Sequence, residues 1–175
     1  DPGDVNTISD HVFQYKKHAF CEDVQGYVWI ATDHGLNRYD YKTGFFRAYT
    51  SENAALIDDY VTAVIPSHDG LLWVATFEGL QQFDPMASRA VRYFPGAPKN
   101  MYSLCEDSLG NLWIGSYLDG LYRLDASTSS FEQYPSEPGP TGGIGSRMIT
   151  FLMIPRLTPR ILWIATFDAG LVMLD

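Results

Sequence analysis

The chain has 175 residues, 46% of them hydrophobic and 14% aromatic, enough to build one domain around a sizeable core. Its formal net charge is −9 and its pI is near 4.7, with no basic cluster, so nucleic acid and anionic membrane surfaces are excluded as electrostatic partners. No apolar run approaches the ~18 residues of a membrane span and no signal peptide is present, so this segment itself is expected to make no membrane contact. The first residue is Asp1, not Met, and the chain is expected to be a mature or excised piece of a longer protein.

Asp1 to Ser9 reads as a connector. Phe13-Gln14-Tyr15 admits two readings: a strand that closes a ring onto the last repeat, or the start of the first repeat's inner strand. From there the sequence repeats itself. Trp29, Trp73, Trp113 and Trp163 mark one position, with spacings of 44, 40 and 50 residues. Each is followed by an apolar, a small and a hydroxyl residue, as in Trp113-Ile114-Gly115-Ser116. Gly-Leu follows in each copy (Gly35-Leu36, Gly79-Leu80, Gly120-Leu121, Gly170-Leu171), and then Asp40, Asp84, Asp125 or Asp175. A period of this length signals a repeat architecture.

Within the third copy, Met101 to Glu106, Leu112 to Tyr117, Leu121 to Asp125 and Phe131 to Tyr134 read as four strands separated by turn residues. Short Gly-, Asp- and Ser-containing connections suit antiparallel hairpins, and no sustained 3.6 period calls for helix anywhere. The second strand is apolar on both faces, with Trp113 and Gly115 pointing one way and Leu112 and Ile114 the other. A sheet with one wet face would alternate apolar and polar residues. A four-stranded sheet covered on both faces by copies of itself accounts for the run, which is the plan of an all-β, β-propeller blade. The expected blades span approximately 10–49, 57–94, 99–134 and 147–175: three full blades and most of a fourth, in one propeller segment covering 1–175. The fourth unit departs from the pattern, with Pro155 to Arg160 where the others carry Asp-x-x-Gly or Asp-Gly. The small residue two after each tryptophan (Ala31, Ala75, Gly115, Ala165) is expected to leave room for a bulky side chain of the adjacent blade.

Cys21 and Cys105 occupy one repeat position. A disulfide is one reading; two buried thiols on non-neighbouring blades, too far apart to bridge, is the one adopted. Asp107-x-x-Gly110 lacks the ligand spacing of a calcium loop, and the turn aspartates are expected to cap their own backbone amides. His11, His18, His34 and His68 show no zinc-binding spacing, no nucleophile elbow occurs, and the Gly-rich stretch Pro135 to Ser146 fits no phosphate-binding fingerprint. No catalytic residue, metal or cofactor is assigned.

The segment from Cys105 to Ser116, with Gly120-Leu121 and Phe131 to Tyr134 after it, resembles the two-component regulator propeller repeat. That resemblance implies a sensor: such repeats form seven-bladed rings in extracytoplasmic (periplasmic) parts of inner-membrane hybrid histidine kinases, some similar sensors carrying diguanylate cyclase outputs, and glycan-responsive members are the best known. It implies further propeller blades and a homodimer partner in a full-length receptor, of which this chain is a fragment; a four-bladed ring is the alternative. A propeller enzyme of lyase or quinone-dependent dehydrogenase type and a protein-interaction scaffold are the rival functions. Variable loops gathered on one rim are the expected recognition surface: Asp33, His34, Phe77, Glu78, Tyr117, Asp119, Phe167 and Asp168. Aromatic and carboxylate pairs there suit an oligosaccharide or other small polar ligand, since rings stack on sugar faces and carboxylates accept hydroxyl protons. Hairpin-tip residues with solvated charges are the competing reading of the same positions.

Trp113→Ala is expected to cost about 3–5 kcal/mol of unfolding free energy, as for other buried aromatics. Chemical denaturation measures it, and a change below about 1 kcal/mol contradicts the stacked-sheet reading.

Overall fold

A computed structural model describes residues 18–137 and 143–175. The two readings of Phe13-Gln14-Tyr15 lie outside the described residues. The chain divides into two compact units, Asp1–Pro95 and Gly96–Asp175. In the first unit, β1 (Phe20–Glu22), β2 (Val28–Thr32), β3 (Gly35–Asp40) and β4 (Phe45–Tyr49) form one antiparallel sheet in chain order. A second follows in the same way: β5 (Val61–Pro66), β6 (Leu72–Thr76), β7 (Leu80–Asp84) and β8 (Arg89–Phe94). In the second unit β9 (Met101–Glu106), β10 (Leu112–Ser116), β11 (Gly120–Leu124) and β12 (Phe131–Gln133) make the third sheet. The fourth has three strands, β13 (Ile149–Met153), β14 (Leu162–Thr166) and β15 (Leu171–Leu174). Three four-stranded meanders and one of three strands are the expected propeller blades, three complete and most of a fourth.

The reason the second strands carry no polar face is now visible. In the first unit Trp29, Ala31, Leu36 and Tyr49 of the first sheet share one buried cluster with Val61, Val64, Leu72, Val74 and Phe83 of the second. Trp29 is fully buried, its ring edge-on to Phe83 at 5.3 Å and tilted against Tyr49 at 5.4 Å, and Tyr49 meets Phe83 at 5.2 Å. In the second unit Trp113 and Leu121 of the third sheet pack with Ile149, Leu152, Leu162 and Ile164 of the fourth. The tryptophan face of one sheet therefore lies on the aliphatic face of the next. Because side chains alternate along a strand, one strand must supply both faces, and all five residues of β6 and of β10 are buried.

The small residue two after the tryptophan is fitted to what faces it. A Cβ on Gly115 would lie 2.6 Å from Ile149 Cγ2 and 3.1 Å from its Cβ. In the first unit the corresponding pair is one methyl larger and one smaller, Ala31 with Val61, both fully buried.

Trp29 and Trp113 are also tied to the turns before their strands. Asp23 Oδ1 accepts from the amides of Gln25 (2.9 Å) and Tyr27 (3.0 Å), while Oδ2 accepts from Trp29 Nε1 at 2.6 Å. Asp107 repeats this arrangement, with Leu109 and Asn111 amides at 2.9 Å on Oδ1 and Trp113 Nε1 at 3.1 Å on Oδ2. In the fourth unit the expected irregular turn is closed by Thr158 N donating to Pro155 O at 3.1 Å, without an aspartate.

The expectation of no helix is corrected in one place. A single turn, α1 (Ser51–Ala54), occupies the connector between the first two sheets; Thr50 N donates to Asn53 Oδ1 at 2.8 Å and Ala54 is buried. Four residues are too few to display a helical period, so local capping and burial, which periodicity does not register, formed it.

Gly115→Ala is expected to destabilise the chain by about 1–3 kcal/mol through overpacking against buried Ile149. A double-mutant cycle with Ile149→Ala checks the cause: the penalty of the alanine at 115 should largely vanish in the Ile149→Ala background.

Candidate functional site

The hairpin tips between second and third strands are shaped by the hydroxyl that ends each second strand. Thr32, Thr76 and Thr166 Oγ1 donate to the carbonyls of Gly35 (2.8 Å), Gly79 (3.0 Å) and Gly170 (2.9 Å). Ser116 Oγ instead donates to Lys99 O at 2.9 Å and accepts from the amides of Leu118 and Asp119. The glycine then stitches neighbouring sheets within each unit: Gly35 N donates to Asp59 O at 2.7 Å, and Gly120 N to Arg147 O at 2.9 Å. A side chain on Gly35, at a φ of 109°, would sit 2.4 Å from Tyr49 O, so this close approach requires glycine.

These turns hold the eight residues singled out from the sequence. In the first unit Asp33 is half-buried and His34 exposed beside β2, and Phe77 and Glu78 are exposed beside β6. The Phe77 ring stands edge-on to Tyr60 at 6.1 Å, and its amide donates to Tyr60 O at 3.0 Å. In the second unit the structure brings Tyr117 and Phe167 together, edge to face at 6.5 Å, and Tyr102 joins them at 5.7 Å from Tyr117. Three rings thus bridge the third and fourth sheets at the turns, with Phe167 67% exposed. Asp168 is engaged internally, its carboxylate accepting from the Ser146 hydroxyl.

Asp119 belongs to a different feature. It lines a cleft of about 410 Å³ with Leu118, Gln133, Ser136, Glu137 and Arg147, among others. Its backbone is fixed on both sides: Asp119 N donates to Ser116 Oγ at 3.1 Å, and Gln133 Nε2 donates to Asp119 O at 2.8 Å. Tyr60, Tyr102, Gln133 and Arg147 went unread in the sequence, because each lies at a strand end or connector that only the folded hairpin carries to the turns. Arg147, ending the longest connector, gave the nearest thing to a signal.

Three half-buried titratable groups lie on or beside the first strands of the sheets. Burial pushes the Cys21 thiol up to about 12, the Asp23 charge adding to it, and burial raises Cys105 as well. Both cysteines are free, and thiols held protonated are poor nucleophiles. Burial lowers the His18 imidazole to about 4, so it is neutral at physiological pH. The turn aspartates go the other way: hydrogen bonds from Ser127 and Thr128 hold Asp125 at about 2, and the Lys42 amide lowers Asp40. Among the described residues no three His, Cys, Asp or Glu side chains converge as a metal site, and no helix is long and apolar enough to cross a membrane.

Residues 95–118, spanning β9, the Asp107 turn and β10, match the family model described as two component regulator propeller. The chain carries a two component regulator propeller repeat. No curated protein matches the sequence. Among solved structures, this propeller segment is similar to the extracellular domain of BT3049 from B. thetaiotaomicron, described as a hybrid two component system (23% identity, TM-score 0.70, 94% of this chain and 23% of that one). It is also similar to the extracellular domain of BT4673 from the same organism, described as a one component system (19% identity, TM-score 0.73, covering 89% and 21%). PorZ of Porphyromonas gingivalis, a surface component of the type-IX secretion system, shares the fold as well (16% identity, TM-score 0.62, covering 96% and 28%). The propeller segment therefore spans between a fifth and three tenths of the length of these chains.

The His18 environment predicts a pH dependence. Its folded pKa lies below the unfolded value of 6.5, so the unfolded chain binds the extra proton. Stability should be intact above about pH 6.5 and fall by up to roughly 3 kcal/mol as pH drops towards 4. Urea titrations across that window should lose this slope in His18→Gln.

Proposed function

We propose that this chain is the ligand-sensing propeller segment of a two-component-type signalling receptor, non-enzymatic itself, placed outside the cytoplasm and answering to a small polar ligand such as an oligosaccharide. The observation that carries the reading is the aromatic group of exposed Tyr117 and Phe167 with half-buried Tyr102 beside them, where the third and fourth sheets meet. Rings fixed at a rim, with their backbones bound into the sheets, present flat apolar faces at little entropic cost. The regulator-propeller match over residues 95–118 supports a signalling context.

A further blade is proposed as the neighbour of the fourth sheet. On its tryptophan face Phe151 and Met153 are 40% and 47% exposed, and Leu171 and Met173 are 63% and 60% exposed, with half-buried Trp163 and Ala165 between them. Cross-strand pairing puts all six on one face (Phe151 with Ala165, Met153 with Trp163, Trp163 with Met173, Ala165 with Leu171). The same face of the first and third sheets is covered by an aliphatic sheet, and the chemistry of the missing cover follows from that.

Thermal-shift screening against mono- and oligosaccharides and other small polar compounds tests the sensing reading. A ligand at about 100 times its dissociation constant should stabilise the fold by about 2.7 kcal/mol. Substituting Tyr117 and Phe167 together by alanine should weaken that ligand about tenfold or more while leaving the circular-dichroism spectrum unchanged. A ligand response indifferent to both rings counts against the rim.

A further inference from the structure

We infer that the cleft beside the third sheet of the second unit is a binding site for a small zwitterion, a free amino acid or dipeptide, with Arg147 taking the carboxylate and Asp119 the ammonium group. This rests on the sensing reading and specifies a ligand class and a site for it. The cleft lies between the β10–β11 turn, the chain following β12 and the residues leading into β13. Its volume of about 410 Å³ falls at the lower end of the range for small-molecule sites, suited to a molecule much smaller than an oligosaccharide.

The charges lining it are what select the ligand. Arg147 contributes a backbone carbonyl to Gly120 N at 2.9 Å, which anchors its main chain directly beside the turn that carries Asp119. Yet among the described residues neither its guanidinium nor the carboxylates of Asp119 and Glu137 has an ion-pair or hydrogen-bond partner. Opposite charges on adjacent anchored backbones, lining one cavity without closing on each other, leave a gap that a molecule bearing both signs can bridge. A guanidinium matches a carboxylate with two parallel N–H donors, and a carboxylate matches an ammonium. Gln133 is held by its Nε2 donation to Asp119 O, which leaves its Oε1 as an additional acceptor. A simple anion would be repelled by Asp119 and Glu137, and a simple cation by Arg147.

Isothermal titration of the chain with the free L-amino acids and with dialanine tests the assignment, using glucose and galacturonate as comparators. At least one zwitterion should bind, and its N-acetyl and C-amide derivatives should each bind about tenfold or more weakly, since each removes one charge-assisted hydrogen-bonding group. Arg147→Ala and Asp119→Asn should each weaken it by about tenfold or more, with Arg147→Lys intermediate, while unfolding midpoints stay unchanged because neither side chain is in the core. Zwitterion binding that survives both substitutions overturns this site. Binding of glucose or galacturonate with every zwitterion silent overturns the ligand class and leaves the sensing reading standing. Silence from all probes, together with no stabilisation in the broader saccharide screen, overturns both.

Discussion

The structure depends on one packing event: the tryptophan face of a small antiparallel sheet lies on the aliphatic face of the sheet that follows it. Trp29 and Trp113 are the centres of this contact in the two units. An indole buried so deeply brings a polar N–H with it, and an unsatisfied buried donor costs about 1–3 kcal/mol. The turn aspartate six residues earlier removes that cost, and the same carboxylate closes the turn that aims the strand. Local turn formation and long-range burial are therefore joined through Asp23 and Asp107. At that position the second and fourth sheets carry Ser67 and Leu157 in place of the aspartate.

Complementarity in volume makes the contact specific. Gly115 faces Ile149 and Ala31 keeps company with Val61, so that a methyl added on one sheet is offset by one removed from its neighbour. Such compensation lets each repeat diverge in sequence while the spacing between sheets is preserved.

The candidate site lies where this packing imposes least. The second-strand hydroxyl fixes the backbone of each hairpin tip, through Thr32, Thr76, Ser116 and Thr166, and most of the side chains between it and the glycine reach the surface. Aromatic residues of the third and fourth sheets collect into one group, and charges with no partner among the described residues collect in the cleft that opens beside Asp119. The two features have different chemistry, flat rings in one case and opposed charges in the other. They share a backbone held by the stitch from Gly120 to Arg147.

Much of this was written in the order of residues. The recurrence of Trp29, Trp73, Trp113 and Trp163, each followed by a small residue and Gly-Leu, determined the repeat, the four-stranded blade and the capping role of Asp107, because burial between copies and turn chemistry both act over short stretches of chain. The match of β9, β10 and β11 to the expected segments within a residue or so follows from that local control. Tertiary structure alone decided what meets across the turns. The meeting of Tyr102 with Tyr117 and Phe167, and the placing of Arg147 and Asp119 on one cleft, depend on how far apart folded hairpins bring residues that no period relates. Periodicity encodes which face of a strand is buried; it carries no information about which connector side chain ends beside which hairpin tip, since that is set by the twist and spacing of packed sheets.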